Sequence, residues 1–376
     1  MNQSFRETHL FTILDSFESQ TIPLDFFLSQ YFRRHRAVGS KDRRFIAETI
    51  YGMIRWRGLL DHLCQKPVSW KTRFSLYEHF NPLAHIDDHR IPLHIRLSFP
   101  KSFFYFLQEH YGEEQTREIC LSSNTEAPVT LRINPLKTTR ADLLERWEGL
   151  YHISPCPYSS LGIRFHKRTN FFAMPEFKNG WFEVQDEASQ LVSNLIQARP
   201  GQQILDFCAG SGGKTLAFAP QMSNSGQIYL HDIRPGILRE AKKRLCRAGI
   251  QNAQLLFYED QKKNTLKGRM DWVLVDAPCT GSGTIRRNPD MKWKFNRELV
   301  DRLVQQQREI FKEALEFLRP NGQIVYATCS LFPEENEAQT DFFKENFNLK
   351  STADIFKSLP TKGGMDGFFG AVFSRA

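Results

Sequence analysis

Over the first 65 residues, apolar side chains return every three or four positions. In "IAETIYGMIRWRGLLDHL", Ile46, Ile50, Met53, Ile54 and Leu60 share one face, which predicts amphipathic helices packed together. Residues 66–125 are punctuated by prolines and then turn helical again through "FPKSFFYFLQEHYGEEQTREICLSSN". The period changes at "APVTLRINPLKTTRADLLERW", which reads as a short strand, a proline turn and a helix opened by Thr138 or Thr139. More short strands ("LGIRFHK", "NFFAM", "GWFEVQ") carry this small α+β module to about residue 180. The pattern divides the chain into an all-α region over 1–125, an α+β module over 126–180 and a third domain over 181–376.

The third domain alternates strands with helices. "QILDFCA", "QIYLHD", "AQLLFYED", "DWVLVDAP" and "GQIVYATC" are short apolar runs rich in β-branched and aromatic residues. Helical stretches such as "GILREAKKRLCRAG" and "RELVDRLVQQQREIFKEALEFL" separate them. Strands apolar on both sides need cover on both faces, so an α/β domain with a doubly wound parallel sheet is expected. In such a sheet the ligand crevice opens beyond the carboxyl ends of the strands.

With 376 residues and 41% hydrophobic side chains, the chain can bury sizeable cores and is not disordered. Its seven cysteines form no C-x-x-C pair, which argues against a zinc knuckle, and no metal is expected. Their odd number and irregular spacing suit free thiols in a reducing cytoplasm. No stretch approaches the length of a membrane span, and the N-terminus lacks a signal peptide's apolar run.

A net charge of +8 favours a polyanionic partner. One dense basic stretch, "YFRRHRAVGSKDRR", carries Arg33, Arg34, Arg36, Arg43 and Arg44. Another carries Arg286, Arg287, Lys292 and Lys294. Each is either a solvated face or a surface that contacts nucleic-acid phosphates.

The first strand of the third domain runs into "LDFCAGSGGKT", where glycines let backbone N–H groups approach a ligand. A P-loop would need glycine at Cys208, and a dinucleotide fingerprint would need glycine at Thr215. The arrangement left is an acid at the strand end, Asp206, before Gly210, Gly212 and Gly213. Sites for S-adenosylmethionine use it, because that ligand brings an amino-acid carboxylate and a sulfonium instead of a pyrophosphate. Three more acids stand at successive strand tips: Asp232, Asp260 (or its neighbour Glu259) and Asp276. An acid at the second tip can accept from both ribose hydroxyls. Nucleotide hydrolysis is the minor alternative.

Cys279 and Cys329 each follow an apolar strand. A buried thiol is ordinarily a small hydrophobe. The fourth strand, however, ends Asp276-Ala277-Pro278-Cys279, where methyltransferases acting on exocyclic amines show [DN]-P-P-[YF]. A thiol cannot do the stacking aromatic's work, but it suits another reaction. Carbon 5 of a pyrimidine is a poor nucleophile until a thiolate adds at C6 and gives it enamine character. An ordinary thiol is mostly protonated at neutral pH, so the site must help form the thiolate. Asp276 is the candidate acid near N3 of the base. One thiol suffices for addition, so a second in the same crevice needs a second role.

At this point the sequence resembles the Sun (Fmu) family of RNA cytosine-5 methyltransferases. The matching stretches are "CAGSGGK" (208–214), "DAPCTGSGTIRRNPDMKW" (276–293) and "YATCSLFPEENE" (326–337). "QDEASQ" (185–190), "GGMDGFFGAVFSR" (363–375) and the pre-catalytic "RINPLK" (132–137) extend the likeness over roughly 126–376. Gly210-Ser211 stands where members more often have Ala-Pro.

The resemblance implies a class I, Rossmann-like methyltransferase domain that takes S-adenosylmethionine. It implies that Cys329 attacks C6 and that Cys279 aids breakdown of the adduct, whereas DNA cytosine-5 methyltransferases attack with the Pro-Cys thiol. Cys208, Ala209, Gly210, Ser211, Gly212, Gly213 and Lys214 would cradle the methionine part, with Lys214 nearest its carboxylate. Asp232 would hold the ribose, Asp260 (or Glu259) the adenine, and Asp276 would face both cofactor and base. Cys208 and Cys246 read as packing.

The stretch "GSKDRRFIAETIYGMIRWRGLLD" (39–61) resembles the NusB-like helical domain of bacterial members. That likeness implies a monomeric methylase of 16S ribosomal RNA. A tRNA methyltransferase and a non-catalytic assembly factor are the alternatives.

Overall fold

The computed structural model describes residues 4–167, 169–260 and 262–376. Two units separate, one of Met1–Glu126 with Thr284–Arg297 and one of Ala127–Gly283 with Glu298–Ala376.

In the first unit, Ser4 caps helix Phe5–Phe17 through a capping box with Glu7. Helices Leu24–Arg34 and Ser40–Arg55 follow. The run that reads as one helix from Ile46 onward breaks at Trp56, and a second helix, Arg57–Leu63, begins there. Ile46, Ile50, Met53, Ile54 and Leu60 are all buried and meet Leu10, Ile13 and Leu14 of the first helix. A helix end leaves carbonyls without intrahelical partners. At the break, Trp293 Nε1 donates to Ile54 O (2.8 Å) and Lys292 Nζ to Arg55 O (2.8 Å). The far-off segment Thr284–Arg297 is thereby stitched into the helical core.

The second unit opens with a four-stranded antiparallel sheet. Its strands are β1 (Val129–Ile133), β2 (Ile153–Pro155), β3 (Gly162–Phe165) and β4 (Phe182–Val184), in the order β2-β3-β1-β4. Thr139, not Thr138, caps helix Arg140–Trp147, in a capping box with Asp142. Leu131, Ile133, Ile163, Phe165 and Phe182 pack on Leu143 and Trp147. Arg132 and Glu183, opposite each other in the β1–β4 register, are buried polar residues.

The larger sheet contains β5 (Gln203–Asp206), β6 (Gln227–His231), β7 (Ala253–Leu256), β8 (Met270–Asp276) and β9 (Leu318–Thr328), all parallel. β10 (Leu349–Ser351), β11 (Phe356–Ser358) and β12 (Phe368–Arg375) add an antiparallel edge, giving the order β10-β12-β9-β8-β5-β6-β7 with β11 on β12. β8 is buried over Met270–Val275, as expected of a central strand covered on both faces. The order reverses between β5 and β8, the switch point where α/β sheets open a crevice.

Candidate active site

A cleft of about 660 Å³ lies beyond the carboxyl ends of β5, β6 and β8. Asp206, Cys208, Ala209, Gly210, Lys214 and Asp232 line it, and Asp276 and Pro278 close one end.

The loop after β5 turns through two left-handed glycines, Gly210 (φ 51°) and Gly212 (φ 77°). A Cβ on Gly212 would come within 3.3 Å of Ala241 Cβ, so this helix–loop approach also needs a bare backbone. Gly210 N donates to Asp232 Oδ2 (2.9 Å), which joins the first strand's loop to the second strand's tip. The loop is braced from behind. Arg244 donates to Ser211 O (2.9 Å) and to Glu183 Oε2 (2.9 Å). Arg132 donates to Gly213 O (3.1 Å) and to Gln185 Oε1. These four braces, Arg132, Glu183, Gln185 and Arg244, escaped the sequence reading. Arg132 and Gln185 lie inside "RINPLK" and "QDEASQ", so the motifs were visible although the role of these side chains was not.

Asp206 is buried, and Thr215 Oγ1 donates to its Oδ2 (2.6 Å). Its Oδ1 has no hydrogen-bond partner among the described residues. Burial pushes its carboxyl up to about 7. A buried acceptor in this state wants a donor, preferably a cation. Asp232 is held by Arg234, through Nε (2.9 Å) and Nη2 (3.0 Å). Burial opposes its charge, but Arg234 outweighs burial and holds the carboxyl below its usual range. Arg234 itself is largely exposed.

Lys214 lines the cleft. Its Nζ donates to Asp276 Oδ2 (2.5 Å). Burial works against the lysine's charge, yet Asp276 and, further off, Cys329 raise its affinity for the proton. β7 ends at Leu256, so Tyr258 reaches the cleft wall, while Asp260 and Glu259 line an adjoining depression with Lys263.

The two motif cysteines converge. Cys279 Sγ and Cys329 Sγ are 3.4 Å apart. Contact with the Cys329 sulfur, and then burial, push the Cys279 thiol far above the ordinary range. Gly283 N donates to Cys329 O (2.9 Å), and Thr328 Oγ1 donates to Asn336 Oδ1 (2.6 Å), which fixes the turn after β9. Glu335, within the second cysteine motif but not singled out from the sequence, is fully buried between the two loops. Cys208 packs against the core beside Phe207. Cys246 is exposed, so the packing expectation is corrected there. Among the described residues no group of His, Cys, Asp and Glu could hold a metal ion.

The basic residues divide. Arg33, Arg34 and Arg36 are exposed, and Arg44 is exposed beside Glu48 (3.0 Å). Arg43 turns inward to Val38 O (2.7 Å). Arg286 and Lys292 are buried, and Arg287 is half-buried. Lys292 Nζ also donates to Asn124 Oδ1 (2.9 Å), and burial pushes its ammonium well down. Lys294 donates to Ile22 O (2.7 Å) and Asp290 Oδ2 (2.8 Å). Burial therefore argues against the expected phosphate contacts at Arg286 and Lys292, while Arg287 and Lys294 keep part of their surface in solvent.

Comparison with known proteins bears on this geometry. The family model of 16S rRNA methyltransferase RsmB/F matches residues 193–374, and that of the RsmF/B-like ferredoxin-like domain matches 99–171. A protein from Synechocystis described as a probable ribosomal RNA small subunit methyltransferase B is 30% identical over 313 residues, covering 77% of this chain and 70% of that protein. Ribosomal RNA small subunit methyltransferase B of Photorhabdus laumondii is 32% identical over 282 residues, covering 72% of this chain and 64% of that one. The chain thus spans about two thirds of these relatives' length. A methyltransferase homolog from Pyrococcus horikoshii superposes with a TM-score of 0.66 at 27% identity, over 75% of this chain and 97% of that one.

The residues in the cleft fit S-adenosylmethionine. Asp206 Oδ1 is a buried acceptor without a partner among the described residues, suited to its ammonium, and the Asp232 carboxylate lining the same cleft is an acceptor suited to hydroxyls. S-adenosylmethionine is the cofactor of this fold, and the chain belongs to the 16S rRNA methyltransferase RsmB/F family.

Proposed function

We propose that this chain methylates carbon 5 of a cytosine in 16S ribosomal RNA, with Cys329 as nucleophile and Cys279 as the thiol that aids release. The observation that carries the proposal is the 3.4 Å contact between two motif thiols beside the Lys214–Asp276 pair. The names of the relatives support ribosomal RNA as the substrate class.

Bound S-adenosylmethionine supplies an electrophilic methyl group. The chain's own residues must make carbon 5 able to take it. Cys329 adds to C6 as a thiolate, and the electron pair displaced from the C5–C6 bond gives C5 enamine character. Asp276 would face the base edge, where a proton taken up from the Lys214 ammonium that donates to it and passed to N3 would ease the addition. Lys214 holds that carboxylate in place and puts positive charge near the attacking sulfur. After transfer, a base takes the C5 proton, the electron pair of that C–H bond re-forms the C5–C6 double bond, and the C6–sulfur bond breaks with its pair left on the Cys329 sulfur. Cys279 keeps its proton in this environment, so it can stabilise the departing Cys329 sulfur. The exposed cations Arg33, Arg34 and Arg36 form the proposed phosphate-contacting surface of the helical unit.

Bisulfite sequencing of rRNA and tRNA from cells with and without the protein tests the substrate. One 16S cytosine that loses protection is the expected outcome; loss confined to tRNA would replace it. Among the described residues no helix is long and apolar enough to cross a membrane.

A further inference from the structure

Glu335 is a fully buried carboxylate that the reaction above does not use. Four donors converge on it. Oε1 accepts from Thr280 N (2.9 Å) and Gln307 Nε2 (2.9 Å). Oε2 accepts from Thr280 Oγ1 (2.6 Å) and from Ser330 Oγ. Thr280 follows Cys279 and Ser330 follows Cys329, so one carboxylate straps the residue after each thiol. We propose that Glu335 is a positioning residue that holds Cys279 against Cys329, and that its loss uncouples release of the product from attack on the base. The inference rests on the thiol roles proposed above.

The two loops do not depend on Glu335 equally. The Cys329 turn has its own anchors: Thr328 Oγ1 to Asn336 Oδ1, Asn336 Nδ2 to Ser330 O (2.9 Å) and Gly283 N to Cys329 O. On the Cys279 side Gln307 Nε2 holds Pro278 O (3.0 Å), but both short Thr280 bonds go to Glu335, and Thr280 Oγ1 otherwise makes only longer 3.2 Å contacts to the Ser282 and Ser330 hydroxyls. Removing the carboxylate should therefore move Cys279 more than Cys329.

The hydrogen-bond pattern also separates positioning from proton transfer. Gln307 cannot flip its amide, because its Oε1 accepts from Tyr326 Oη (3.1 Å) and Gln339 Nε2 (2.8 Å) while its Nε2 also donates to Pro278 O (3.0 Å). Both donors at Glu335 Oε1 are thus fixed N–H groups. Both at Oε2 are hydroxyls, which rotate and can accept instead. A glutamine fits: its oxygen takes the two N–H groups and its NH2 faces the two hydroxyls. Glu335→Gln should keep the thiols together, whereas a residue acting as a base would not survive that change.

Two measurements on the full chain test this. The first is the rate at which diamide, taking two electrons and two protons from the thiols, joins Cys279 and Cys329 in a disulfide; it needs neither RNA nor cofactor. The second is the amount and lifetime of a denaturant-resistant protein–RNA adduct made with S-adenosylmethionine. In Glu335→Ala, disulfide formation is expected to slow and the adduct to persist, each on the order of 10-fold or more. Thr280→Val with Ser330→Ala, which removes only the hydroxyl straps, should show the same changes more weakly if Glu335→Ala does not fold. Glu335→Gln should restore both readouts.

Wild-type disulfide and adduct behaviour in Glu335→Ala, or in the Thr280→Val, Ser330→Ala variant if that alone folds, overturns the proposal. Loss of adduct formation without a change in disulfide rate overturns it too, as does a glutamine variant as impaired as the alanine one. Failure of the thiol roles is seen separately: Cys279→Ser would then trap no adduct while the disulfide arm still reports on Glu335.

Discussion

Lys214 Nζ lies 2.5 Å from Asp276 Oδ2, so the glycine loop after β5 and the carboxyl end of β8 meet in one ion pair. The lysine is nearly buried and the aspartate side chain about one-third exposed (33%). The sequence-based expectation assigned Lys214 to the cofactor and Asp276 to both ligands; the pair makes them one device. Lys214→Met should leave Asp276 solvated but loose, keeping the fold while cutting single-turnover methylation on the order of 100-fold. Rapid-quench assays with a target oligonucleotide measure this. Wild-type turnover in the variant would remove Lys214 from the reaction.

Cys329→Ala should abolish methyl transfer and leave S-adenosylmethionine affinity unchanged, since neither thiol is among the residues lining the cleft. Calorimetric binding beside an activity assay checks it. Undiminished turnover would end the nucleophile assignment.

Cys279→Ser should trap the enzyme on its substrate. The C6–Cys329 bond would form normally, and its breakage would lack the neighbouring thiol 3.4 Å away. A denaturing gel should show a protein–RNA band that requires cofactor and a target cytosine and vanishes in the Cys279→Ser, Cys329→Ser double variant. A trapped band in Cys329→Ser instead would reverse the two roles.

Charge reversal of Arg33, Arg34 and Arg36 should flatten the log–log salt dependence of RNA affinity by about 2–3 units, from released counterions. Lys292→Met should not change that slope. It should lower the melting temperature instead, because Arg55 O and Asn124 Oδ1 lose their donor. Equal slopes in wild type and the reversed variant would make the N-terminal stretch a solvated face.

Asp206 predicts a pH dependence. Burial raises its carboxyl from 3.8 to about 7, so the folded chain binds this proton more tightly than the unfolded one. Stability without ligand should fall as pH rises through that window. Cofactor affinity should move the other way, rising through about pH 7 as the ionised carboxylate becomes available to an ammonium group. Asp206→Asn should flatten both trends, read by thermal melts and by titration calorimetry in two buffers. A pH-independent affinity in the wild type would place the cofactor's cation elsewhere.

Much of the fold was legible because it rests on local periodicity. Apolar runs such as "DWVLVDAP" can only be satisfied by cover on both faces, and β8 has it. The antiparallel strands β10–β12 were not read. "FFGAVFSR" is buried over six consecutive residues and so shows no alternation. The helix break at Trp56 was equally silent, since apolar spacing continues across it.

By itself the sequence determined which chemistry this protein can carry. Glycines and acids at strand ends and two thiols after strands are covalent facts that any fold must accommodate. The tertiary structure decided which of those groups meet. It brought Cys279 and Cys329 to 3.4 Å, paired Lys214 with Asp276 and put Tyr258 on the cleft wall. It also buried Arg286 and Lys292 while leaving Arg33, Arg34 and Arg36 in solvent. A basic side chain reads the same in sequence whether it faces water or an orphan helix carbonyl. Only long-range packing, here between residues more than two hundred positions apart (Lys292 and Arg55, |i−j| = 237), settles which partner it takes.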